Sequence, residues 1–185
     1  MQLMTIDDAK SYLQSVFLSI QEIKEQDATK SGLPFPFLSM FFDDRTLFSC
    51  PLICERDKWA ELALEFLYTT MKEAENNNRN IVSISVVSEN YVAKANSEHD
   101  FAKVMHWKNQ FGSIKDCPYA TIEESLSLYY VNLKEKNEKG NFISIDMKSY
   151  DGNIDNISYN SSESYGGFIQ EILQTVKSQY QTLNA

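Results

Sequence analysis

Glu89 follows a run of mostly β-branched residues, Ile81 to Val87, and opens a polar stretch that leads to Glu98-His99-Asp100. A carboxylate where a buried strand gives way to a loop is a common catalytic placement, because the strand holds it while the loop admits substrate. Glu89 with His99 or Asp100 would serve a small hydrolase or a metal-dependent enzyme as an acid–base pair. Such chemistry needs the second group at hydrogen-bonding range and a pocket that shifts a pKa. The bland reading stands beside it: Ser88 and Asn90 are local backbone partners, and Glu89 then only caps a turn. Glu89, His99 and Asp100 are the catalytic candidates, and spacing alone does not choose between the two readings.

Metal chemistry has four candidates: Cys50, Cys54, His99 and His106. Thiolates suit zinc, and a spacing of three residues between cysteines occurs in zinc knuckles. A structural zinc needs four ligands, so Cys117 and one histidine would have to arrive from elsewhere in the chain. His99 and His106 lie seven residues apart, about 10 Å along a straight helix, too far to share one metal as neighbouring ligands. The four-residue histidine spacing of HExxH is absent. Buried free cysteine is common, and packing accounts for these thiols equally well. Asp151-Gly-Asn153-Ile-Asp155 alternates oxygen ligands like the start of a calcium loop. The pattern then fails, with Asn156 where glycine is required and Ser162 where the bidentate glutamate belongs. Gly166-Gly167 precedes a helical pattern without the lysine of a phosphate loop or Rossmann spacing. No cofactor is expected.

The bulk numbers narrow the partners. The chain has 185 residues with 43% hydrophobic and 12% aromatic, enough for a real core in one domain spanning 1–185. A formal net charge of −9 repels phosphate backbones and anionic membranes, and the lysines and three arginines form no cluster. The expectation is no nucleic acid and no membrane. Three cysteines do not make a disulfide scaffold, and the N-terminal stretch with Asp7 and Asp8 does not read as a signal peptide. A cytoplasmic protein follows.

The elements that must position these residues are legible by period. Thr5-Ile6-Asp7-Asp8 fits a capping box, and Leu13, Val16, Phe17 and Ile20 recur at helical spacing, which predicts a helix over 6–26. Ser31-Gly32 and the prolines at 34 and 36 break the chain. PFLSMFF and TLFSCPL flank Asp43-Asp44-Arg45 as a hairpin, with Leu38, Met40 and Phe42 as the core row. Asp57 reads as the cap of a second helix that carries a strand at 81–87 across the sheet. Residues 90–120 are irregular, with a short helix or packed loop around Phe101 and Met105. A second hairpin pairs 125–133 with 141–147, a short strand falls near 154–159, and a last helix covers 167–183. The fold class is α/β (α+β): a single domain with a mixed five- to six-stranded sheet and three main helices. Ten tyrosines are spread over these elements, and Tyr129-Tyr130 demands that both sheet faces accept an aromatic, which favours an oligomer or interaction surface.

Ser88, Glu89 and Tyr91 after the central strand, with Glu124 before a later hairpin strand, resemble a pattern in small bacterial or phage α/β proteins of uncharacterised function. The likeness spans roughly residues 35–147 and implies a bacterial or phage origin, with no activity to transfer. The leading expectation is an accessory or protein-interaction protein, self-associating as a homodimer or binding another protein. The enzyme built on Glu89 is the alternative.

Overall fold

The computed structural model describes residues 4–26, 36–135, 140–160 and 168–184. The expected break at Ser31-Gly32 and Pro34, the middle of the turn after Leu133 and the Gly166-Gly167 pair lie outside them. The Thr5–Asp8 capping box forms: the Thr5 amide donates to Asp8 Oδ2 at 3.0 Å, and the Asp8 amide donates to Thr5 Oγ1 at 3.1 Å. Two orphan amides of the first turn are thus satisfied. Helix α1 (Ile6–Gln26) follows, with Ala9, Leu13, Phe17 and Ile20 buried along one stripe.

Strands β1 (Phe37–Phe42) and β2 (Leu47–Pro51) form the expected hairpin. Its turn places Arg45 at φ 67°, while the Asp44 carboxylate accepts the Thr46 amide at 2.9 Å. Helix α2 (Trp59–Asn76) is entered through a 3-10 turn at Arg56–Lys58. Asp57 sits inside that turn and does not cap the helix, because Lys58 occupies the cap position and makes no side-chain cap bond. Strand β3 (Ile81–Lys94) follows, then helix α3 (Glu98–Phe111), strand β4 (Thr121–Asn132), β5 (Asn141–Asp146), β6 (Ser158–Asn160) and helix α4 (Phe168–Leu183). Helix α3 is therefore a fourth full helix where the period pattern is irregular.

The chain is a single α/β domain around one six-stranded sheet of order β2-β1-β3-β4-β5-β6. Each of its five pairings is antiparallel, where a mixed sheet was expected. The crossover expectation survives in another form. β2 and β3 run in the same direction with β1 between them, and α2 makes the connection.

Strand alternation sorts side chains onto two faces. On one face Leu38, Met40, Phe42, Ile84, Val86 and Val131 pack under α2 and α4, which supply Leu67, Leu173 and Val176. The expected core row of β1 is this one. The two helices also meet each other, as the Gln179 amide donating to the Tyr68 hydroxyl at 2.9 Å shows. On the other face Val87, Leu126, Leu128, Ile143 and Ile145 pack under α1, beside Ile157 and Tyr150 of the segment that follows β5. Tyr129 and Tyr130 divide between the faces as predicted. Tyr129 rests on Phe142 with ring centroids 4.7 Å apart, and Tyr130 is buried on the α1 side. Both rings are thus accommodated within this chain, so they do not themselves call for a partner.

Candidate functional site

The longest ladder in the sheet decides where Glu89 stands. β3 and β4 pair without interruption from Ser83↔Asn132 to Lys94↔Thr121, and Glu89 faces Leu126 inside that ladder. Glu89 is therefore a half-buried mid-strand residue, and not the first residue of a loop. The strand continues through Ser88, Glu89 and Asn90 because β4 supplies ladder partners to a stretch whose own composition is poor for strand.

The neighbouring strands stop earlier. β1 pairs with β3 only up to Val87, and β5 pairs with β4 only from Ser125 onward. Beyond them Tyr91–Lys94 and Thr121–Glu124 form a two-stranded ribbon. Lys94 Nζ and Glu123 Oε2 pair diagonally across it at 2.7 Å. From Val87 to Lys94 the strand advances about 23 Å. Helix α3 sits at the end of this ribbon.

Capping residues delimit α3 at both ends. The Asp100 amide donates to Ser97 Oγ at 3.1 Å, and Ser97 Oγ donates to Asp100 Oδ2 at 2.8 Å. Gly112 closes the helix at φ 73°, its amide donating to the Lys108 carbonyl at 2.8 Å. Ser97-x-x-Asp100 repeats the Thr5-x-x-Asp8 spacing and is the signal in the sequence that marks this helix start, which the irregular period of 90–120 leaves unread. Asp100 is thus committed to the cap. The Ser97 hydrogen bond, followed by Lys103 and His99, holds its carboxyl below the usual carboxylate range, which makes it a weaker base.

His99 and His106 are both exposed on α3. Cys50 is half-buried on β2, where burial, then the neighbouring Cys54, pushes its thiol up. Its Sγ donates to the Pro51 carbonyl at 3.6 Å. Cys54 is exposed and Cys117 buried, and all three are free thiols. Among the described residues, no three of His, Cys, Asp and Glu gather at a spacing that would hold a metal. The calcium-like loop is used up locally: Asp151 Oδ1 accepts the Asn153 amide at 2.9 Å, and Asn153 Oδ1 accepts the Asp155 amide at 3.1 Å. These are turn-forming bonds, as the turn reading of that segment requires.

What the arm gathers instead is aromatic surface. Phe101 is 54% exposed, Phe111 55% and Met105 39%, while Val104 is the one buried residue of α3. The Trp107 and Phe111 ring centroids lie 4.3 Å apart with the planes tilted by 43°, and Trp107 meets Tyr119 edge-on at 6.2 Å. Lys103 and Lys115 lie 5.4 and 5.5 Å over the Tyr119 and Tyr91 rings. No residue of α3 belongs to either core. Among the described residues no helix is long and apolar enough to cross a membrane. Comparison with protein-family models, with curated proteins and with solved structures finds no match.

Proposed function

We propose that this protein is an accessory module that works by binding protein surfaces, its own copies included, through the α3 arm. The observation that carries the reading is the concentration of exposed Phe101, Met105 and Phe111 on a helix that serves neither core. Large apolar side chains on a rigid element, left in water, are the composition of a binding hot spot. Phe111 is backed by Trp107, whose ring in turn meets Tyr119. Three free thiols support a cytoplasmic setting, since oxidising compartments favour disulfides. The likeness around Ser88, Glu89, Tyr91 and Glu124 supports a bacterial or phage origin.

Hydroxyl-radical labelling of Met105 and Phe101 tests the reading. It is run on dilute protein, on concentrated protein and on protein added to a cell extract. Protection in either of the last two conditions is expected. Equal labelling in all three would sink the proposal.

A further inference from the structure

The β1–β2 turn carries a cation that the fold leaves uncommitted. Arg45 stands at φ 67°, a backbone region that glycine or asparagine enters more easily than a long side chain. Its amide donates to the Phe42 carbonyl at 3.1 Å and closes the turn. Its guanidinium makes no hydrogen bond, ion pair or ring contact among the described residues, unlike that of Arg79. Asp8, on the first turn of α1, borders the same cavity as Arg45. The Thr5 amide and hydroxyl both donate to its Oδ2, which leaves Oδ1 uncommitted. The Thr5 hydrogen bonds hold the Asp8 carboxyl below the usual range, and the Arg45 charge adds to this. The two groups therefore sense each other without meeting as an ion pair.

The cavity they border measures about 210 Å³ and lies between α1, the β1–β2 hairpin and Val82 of β3. Much of its lining is apolar. Met4 and Val82 are buried, and the Phe41 ring is fixed edge-on against Tyr12 at 5.0 Å. Asp43, the other acid at the border, is spent on Asn80: Oδ1 accepts the Asn80 amide at 3.1 Å, and Oδ2 accepts its Nδ2 at 2.7 Å. The Asp8 amide is already bonded to Thr5 Oγ1, so the free polar contacts are side chains and not helix amides. One cation and one carboxylate oxygen therefore stand beside an apolar hollow. Drug-sized ligands fill about 300 Å³ or more, so the occupant is smaller than those.

We infer that this cavity binds a free apolar α-amino acid, with its carboxylate on Arg45, its ammonium on Asp8 Oδ1 and its side chain among Met4, Phe41 and Val82. The planar guanidinium fork suits a carboxylate, which it can hold through two parallel hydrogen bonds. A simple carboxylate would meet the negative charge of Asp8, and a simple amine would meet the positive charge of Arg45. A small zwitterion answers both charges at once. A residue inside a peptide carries neither charge, which selects the free amino acid. No residue of α3 borders the cavity, so this site stands apart from the proposed protein-binding arm.

The full chain is titrated with L-leucine, L-methionine and L-phenylalanine in turn, and the NMR signals of Met4, Arg45 and Leu47 are followed. At least one of these amino acids is expected to shift all three signals and to saturate them at about 1 mM or below. The matching acid without the amine, and the matching amine without the carboxylate, should each bind at least tenfold more weakly; for leucine these are 4-methylpentanoate and 3-methylbutylamine. Arg45→Asn removes the guanidinium and keeps the turn, because asparagine accepts positive φ. It should weaken binding at least tenfold without lowering the thermal midpoint. Ser11→Trp fills the cavity from an exposed helix position on its border and should abolish binding. The inference is overturned if none of the three amino acids shifts these signals, or if either variant binds like the wild type. It is also overturned if the acid or the amine alone binds as tightly as the amino acid. Binding that appears only in a chain begun at Met4 would place residues 1–3 in the cavity of the full chain, and that overturns it too.

Discussion

The two faces of the sheet are built from the same strands and finished differently. Under α2 and α4, Leu38, Met40, Ile84, Val86 and Val131 are each fully buried, and the side chains of two helices close over them. Under α1, the core is closed at β4 and β5, where Leu128 and Ile143 are fully buried. Toward β2 the same face ends in exposed Leu47 and half-buried Phe37 and Phe41. Among the described residues, the α1 face is thus less fully closed toward β2 than the α2/α4 face is. The contrast also separates fully buried residues from half-exposed ones, whose truncation should cost folding less.

The largest contrast is expected from truncations on either side. Leu67→Ala removes a fully buried side chain of α2 and should destabilise by about 3 kcal/mol, read as a lower urea midpoint. Ile23→Ala near the C-terminal end of α1 should change stability by less than about 0.5 kcal/mol, because Ile23 is 48% exposed. Equal costs would mean that Ile23 carries as much of the packing as Leu67 does.

Arg79 gives the next effect. Its guanidinium lies 4.5 Å over the Phe42 ring and 5.4 Å over Phe48, bonds Thr46 Oγ1 at 2.9 Å, and pairs with Asp44 and Glu73 at 3.6 and 3.5 Å. It ties the hairpin to the end of α2 and so closes the α2/α4 face at that corner. Arg79→Lys keeps the charge and loses the planar stacking, and should lower stability by about 1 kcal/mol in thermal unfolding. A neutral outcome would assign that corner to Phe42 packing alone.

The two capping boxes extend the comparison from faces to units. Thr5→Ala should cost about 1 kcal/mol of global stability, because α1 is part of a core. Ser97→Ala removes an equivalent cap from a helix outside both cores. It should raise hydrogen exchange along α3 and leave the global unfolding midpoint within about 0.3 kcal/mol. A matching global loss would show that the arm folds with the body.

The smallest effect is in pH. Thr5 hydrogen bonding depresses the Asp8 carboxyl, and Ser97 hydrogen bonding depresses that of Asp100. A depressed folded-state pKa adds stability that is present above the unfolded value, about 3.9, and is lost as pH falls through the lower folded value. Unfolding curves should therefore weaken below about pH 4. Asp8→Asn should flatten that fall in the global curve, whereas Asp100→Asn should flatten it only in α3 exchange.

Local pattern carried much of this architecture. The start of α1 was readable because Thr5 and Asp8 cap it, and its body because one stripe repeats at helical period. The β1–β2 hairpin was readable because a polar turn separates two apolar runs, and Leu38, Met40 and Phe42 share one side. The candidate site was less legible. Ser88-Glu89-Asn90 has the composition of a loop, and Glu89 looked like the start of one. Only β4, more than thirty residues along, keeps that stretch in strand. Asp100 looked like an acid near a histidine, and it is a cap.

By itself the sequence determined a single acidic α/β domain, its amphipathic helix α1, its two hairpins and the core rows within them. Those depend on period and capping among residues close in the chain. The tertiary structure alone decided that β3 outruns β1, that α3 joins the ends of a ribbon, and that among the described residues two long helices pack on one sheet face and one on the other. Those follow from register and from which helices reach which strands, quantities set by contacts between distant segments.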